Sequence, residues 1–215
     1  MHKPLLILFG LLYFGLNAQI KKEIFESFKL QERRDVSYYF PEDYSEDKKY
    51  PLIVVLDADY LFELVVSNAK FFSKYNRMPE SIIVGVHQEQ NDLRWEDCDY
   101  EQTTGLPTDK AKMFYEFLGT ELIPYLETSY NVAPFKMFVG YDITANFGNY
   151  FLFKDKSLFN SYLIISPVLA TEMESRIPSR LSDLNQEIFD FFSSENEEKI
   201  RTKAINKRGS FLFMF

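Results

Sequence analysis

The chain has 215 residues, 46% hydrophobic and 26% charged, which suits one globular domain and argues against disorder. Its 24 basic and 32 acidic residues leave a formal net charge of -8, which disfavours nucleic-acid and anionic-membrane partners. Cys98 is the single cysteine and His2 and His87 are the two histidines, so an internal disulfide and a metal site of cysteine and histidine alone are both ruled out.

Met1-His2-Lys3 is a short basic start, Leu5 to Leu16 is an apolar run of twelve, and Asn17-Ala18-Gln19 offers small and polar residues for cleavage. Twelve residues are too few to span a bilayer, so residues 1–18 read as a secretory signal and 19–215 as one domain. The expected location is the periplasm or the medium, with no membrane anchor. Lys21-Lys22 and Arg33-Arg34 are short basic pairs of the kind found on a solvated face.

Residues 35–40 alternate as a strand should. After a charged turn, Tyr50-Pro51 opens the run Leu52-Ile53-Val54-Val55-Leu56, ending at Asp57, as in a parallel strand covered on both faces. A helix is expected over 60–75 and a second strand over 81–86, followed by a polar stretch from His87. Phe114, Phe117, Leu118, Leu122, Tyr125 and Leu126 form one face of an amphipathic helix, kinked or ended by Pro124. Strands over 135–139, 162–165 and 187–192 and helices over 144–153 and 196–203 complete the order. Strands alternating with helices imply a mostly parallel sheet with right-handed crossovers.

Several segments together resemble the esterase family of α/β hydrolases that includes enterochelin-esterase-like enzymes and S-formylglutathione hydrolases. Pro51 to Asp57 resembles the family strand ending in Leu-Asp-Gly, and Ile83-Val-Gly-Val86 its Val-Val-Gly-Ile strand. Arg94 and Asp97 resemble its Arg-x-x-Asp element. Phe117-Leu118 with Glu121-Leu122-Ile123-Pro124 resembles its Phe-Leu-x-x-Glu-Leu-x-Pro helix, and Ser166-Pro167 a later strand ending. The resemblance implies an α/β-hydrolase fold, incomplete at the C-terminus, and carboxylic-ester hydrolysis without a cofactor or metal.

An active member would read Gly-His-Ser-x-Gly-Gly where this chain reads Gly140-Tyr141-Asp142-Ile143-Thr144-Ala145. The resemblance therefore places Asp142 at the nucleophile position, Ala58 and Ile143 at the backbone oxyanion positions, and Glu195 as the best-spaced acid, with Glu197 and Glu198 as alternatives. No base is assigned. An aspartyl nucleophile needs a histidine-activated water, and His87 reads more economically as a polar loop residue. The expectation is a catalytically inactive homologue.

Asp57, Asp59, Arg94 and Asp97, with Asp142, form a candidate binding constellation for a polar small ligand, such as a small ester, or for a cation. The plainer reading has Asp57 and Asp59 punctuating a turn and Arg94 pairing with Asp97. Phe211 to Phe215 is expected to form a last edge strand or, unpaired, an adhesive tail, with homo-oligomer formation or marginal solubility as the consequence. An exported non-catalytic binding protein and a fragment of a longer esterase gene are the competing readings.

Overall fold

A computed structural model describes residues 20–89, 92–152, 154 and 157–168, together with the backbone of 211–214. The leader, the strand and helix expected over 187–192 and 196–203, and Glu195 lie outside the described residues.

The strands are β1 (Ile20–Ser27), β2 (Glu32–Tyr39), β3 (Tyr50–Val55), β4 (Ile82–Val86), β5 (Val132–Tyr141), β6 (Ser161–Ile165) and β7 (Phe211–Met214). They form one mixed sheet in the order β1-β2-β4-β3-β5-β6-β7. The first two pairings, β1 with β2 and β2 with β4, are antiparallel, and the remaining four are parallel. This is the α/β architecture that the resemblance implied. The terminal run from Phe211 pairs with β6 as the last strand, with Ser161 opposite Phe211.

The apolar run of β3 is buried on both faces. Leu52, Val54 and Leu56 enter the larger core beneath the helices α3 (Asp109–Glu116), α4 (Ile123–Ser129) and α5 (Ile143–Leu152), while Ile53 and Val55 meet α1 (Ala58–Lys74) on the other face. Side chains alternate across a strand, so a run without polar interruption must be covered twice. The short helix α2 (Leu93–Cys98) packs against α3 and α5.

The amphipathic segment around Phe117 is not one helix. A π-helical stretch, Phe117–Leu122, separates α3 from α4, and the Ile123 N–H donates to the Leu118 carbonyl five residues back. Pro124 has no N–H to donate and its ring crowds the preceding turn; the wider π turn lies directly before it.

Candidate active site at the strand ends

β5 ends at Tyr141, and Asp142 turns the chain into α5 with φ 57°. That left-handed conformation is unfavourable for a residue bearing a side chain and is sustained by its surroundings. The Asp142 N–H donates to the Ile165 carbonyl at 2.9 Å, and its own carbonyl accepts from the Asn146 N–H at 2.9 Å. A Cβ on Gly140 would lie 2.8 Å from the Thr144 carbonyl and 2.9 Å from the Ala145 nitrogen, so the approach demands glycine. The strand-to-helix turn is thus sharp, requires glycine at 140 and has an aspartate at its centre.

Asp57, leaving β3, adopts the same conformation, with φ 54°. Its buried carboxylate accepts Arg94 Nε at 2.7 Å and Nη2 at 3.4 Å, and the Thr144 hydroxyl lies 2.6 Å from Oδ2. Arg94 also donates Nη1 to Asp142 Oδ2 at 3.2 Å and Nη2 to the Tyr141 carbonyl at 2.9 Å. Its guanidinium sits over the Tyr141 ring, 5.8 Å from the centroid. Burial pushes the Asp57 carboxyl above its ordinary value, against the pull of Arg94 and Thr144. Burial also opposes the charge of Arg94, but Asp57 and Asp142 more than restore it.

Ala58 and Ile143 are the first residues of α1 and α5, where backbone N–H groups lack acceptors within the helix. Thr144 accepts the Tyr141 N–H on its hydroxyl at 2.9 Å.

Arg94 does not pair with Asp97. Asp97 is fully buried and accepts Arg34 Nη2 at 2.8 Å and Gln88 Nε2 at 3.0 Å. Burial pushes its carboxyl up to about 6, although Arg34 and Gln88 pull it down. The Gln88 Oε1 accepts the Asp57 N–H at 3.3 Å, so one glutamine joins Asp97 to the strand end. Arg34 is buried rather than solvated, and its other amino group meets Glu32 at 2.6 Å, while its neighbour Arg33 is exposed. Sequence reasoning missed Arg34 and Gln88. The only signal for Arg34 was its place in an alternating strand, one residue from an arginine of opposite orientation. Cys98 is buried beside this network, with Gln88 Nε2 at 3.8 Å from its sulfur, and burial raises its thiol well above the ordinary value.

Asp59 pairs with His87 rather than with Arg94. Its Oδ1 lies 2.6 Å from His87 Nδ1, and its Oδ2 accepts the N–H groups of Gln88 and Glu89 at 2.9 and 3.0 Å. The second ring nitrogen of His87, Nε2, lies 2.8 Å from the Ser37 hydroxyl. His87 is therefore more than a polar loop residue, and neither nitrogen serves Asp142. Ser166, φ 47°, is exposed at the end of β6.

The family model described as "Putative esterase" matches residues 27–195. The chain belongs to that family. This esterase-family chain is similar to an uncharacterised protein from Capnocytophaga ochracea, with TM-score 0.72 and 25% identity over 92% of this chain and 58% of that one. It thus spans 58% of that relative's length. An IroE-like serine hydrolase from Shewanella oneidensis shares the fold at TM-score 0.64 and 19% identity, over 91% of this chain and 73% of that one. The BES protein from Bacillus cereus does so at 0.68 and 18%, over 93% and 87%. No curated protein matches the sequence. No helix among the described residues is long and apolar enough to cross a membrane.

Proposed function

We propose that this is an exported member of the esterase family whose elbow no longer hydrolyses esters and whose cleft keeps a small ester or other small polar molecule as its ligand. The observation that carries the reading is the closure of Arg94 on both Asp57 and Asp142 while both ring nitrogens of His87 are engaged elsewhere. A nucleophilic aspartate must attack carbon and then be released by an activated water. At Asp142 the carboxylate is held by a cation and, among the described residues, has no histidine against it. A developing oxyanion near the N–H groups of Ala58 and Ile143 would also stand beside a negative charge rather than a neutral serine. Export is supported by the twelve-residue apolar run and the Asn17-Ala18-Gln19 ending.

One preparation tests both parts. Expressed with residues 1–18 in a bacterial host, the protein should be recovered outside the cytoplasm with Gln19 at its N-terminus; an intact Met1 species confined to the cytosol rejects export. Incubated with an aryl acetate, it should carry no adduct on the peptide containing Asp142. Ester turnover that survives repurification and disappears in Asp142→Ala would overturn the loss of elbow chemistry.

A further inference from the structure

Away from the elbow, on the face of the sheet that carries α1, three side chains stand in line. Ser37 belongs to β2, His87 follows β4, and Asp59 lies in the first turn of α1. The register sets Ser37 opposite Gly85, two residues before His87, so serine and histidine emerge on the same face. Gly85 also brings α1 close, since a Cβ there would meet Phe62 at 2.5 Å and Ala58 at 2.8 Å. That approach carries Asp59 within reach of the imidazole.

The hydrogen bonds fix the proton positions. Burial works against the charge of Asp59, but His87 and the N–H groups of Gln88 and Glu89 outweigh it and hold the carboxyl below its ordinary value. A carboxylate only accepts, so in neutral His87 the proton sits on Nδ1 toward Asp59 and Nε2 is free to accept from Ser37. The contacts are 2.6 Å and 2.8 Å.

The geometry points to Ser37 as a nucleophile outside the elbow, with His87 as its general base and Asp59 as the residue that positions the base, acting on small activated acyl or phosphonyl esters. Small size follows from access. Ser37 is only 5% exposed, and the line reaches solvent through His87 and Asp59, whose side chains are 16% and 18% exposed. Attack forms an Oγ–acyl bond as the hydroxyl proton passes to Nε2. The leaving alkoxide departs with that proton as an alcohol; water, deprotonated by His87, then attacks the acyl carbon, the acyl group leaves as the carboxylic acid, and the imidazolium returns its proton to the Ser37 oxygen. Lys22 lies directly opposite Ser37 on β1, with its Nζ 3.2 Å from Asp35 Oδ2.

The test is treatment of the folded, full-length chain with a small fluorophosphonate, followed by peptide mapping. The adduct is expected on Ser37 and absent when the chain is unfolded in urea. Labelling should fall by roughly 10²-fold or more in His87→Ala, the usual worth of a general base, and recover with added imidazole. Asp59→Asn should slow it less, and imidazole should not rescue that variant. An unlabelled Ser37 in the folded wild type overturns the proposal, as does labelling that persists in urea. Undiminished labelling in His87→Ala, or a loss that imidazole does not restore, also overturns it and leaves a structural tie between β2, β4 and α1. If His87→Ala does not fold, the comparison of folded and unfolded wild type decides alone.

Discussion

Arg94 places one guanidinium against both oxygens of Asp57, one oxygen of Asp142 and the Tyr141 carbonyl. The two carboxylates differ in what they lose with it. Asp57 has a fully buried side chain, whereas that of Asp142 is 31% exposed and can turn to water. Arg94→Met should therefore cost about 3 kcal/mol, because it strands a buried charge. Asp142→Asn should cost less than about 1 kcal/mol, the range of an exposed pair. Urea unfolding of the two variants checks the contrast, and equal losses would contradict the assignment of Asp57 as the dominant partner. Of these contacts only the elbow was legible in the sequence, because Gly140 and Asp142 are neighbours in one turn. The partners of Arg94 are 37 and 48 residues away. The nearer Asp97 sits three residues on, at a spacing that usually pairs on a helix surface. Here that side chain is drawn into the core by Arg34 instead.

The strands β3 and β4 were readable because their apolar runs are continuous, with Asp57 closing the first and Pro79 introducing the second, and α1 because the segment between them is long enough for a crossover helix. β1 was not. Its residues are largely exposed, with Ile20 and Ile24 facing solvent, and edge pairing needs no apolar alternation. The break between α3 and α4 was half legible, since Pro124 announces a disturbance but not its π form. The seating of α5 on the sheet depends on Gly148, where a Cβ would lie 2.4 Å from the Phe138 ring and 2.7 Å from Ile164. Phe138 is itself fixed by ring contacts with Phe151, Phe159 and Tyr162. Gly148→Ala should thus destabilise by about 1–2 kcal/mol, overpacking outweighing the gain of about 1 kcal/mol in helix propensity. Thermal unfolding measures it; a stabilised variant would show that α5 can lift without loss.

The charged network under the sheet gives the molecule as a whole a particular response to acid. Folding raises the Asp97 carboxyl from 3.8 to about 6, so the folded state holds that proton more tightly. Its contribution is fully present below about pH 4 and is lost as pH rises through about 6, a swing of about 3 kcal/mol. Asp59 and Glu32 are held below their ordinary values, and their contribution runs the other way, lost as pH falls through those lowered values. Stability should therefore rise as pH falls from about 6 to about 4 and decline in stronger acid. In Asp97→Asn the rise between about pH 6 and 4 should shrink, leaving only the part that comes from the raised Asp57 carboxyl. Urea midpoints across this range decide it, and an Asn variant with an unchanged slope would place the acid response elsewhere. The sequence could not announce this, because a buried arginine and aspartate 63 residues apart look like any two surface charges.

Cys98 sits against the same network, buried and the one cysteine in the chain. A thiol buried there and kept protonated can meet a disulfide reagent only after the packing around it opens. Each modified molecule therefore records one opening of the interior. The protein carries a built-in clock for its own breathing, readable by mass without any engineered probe.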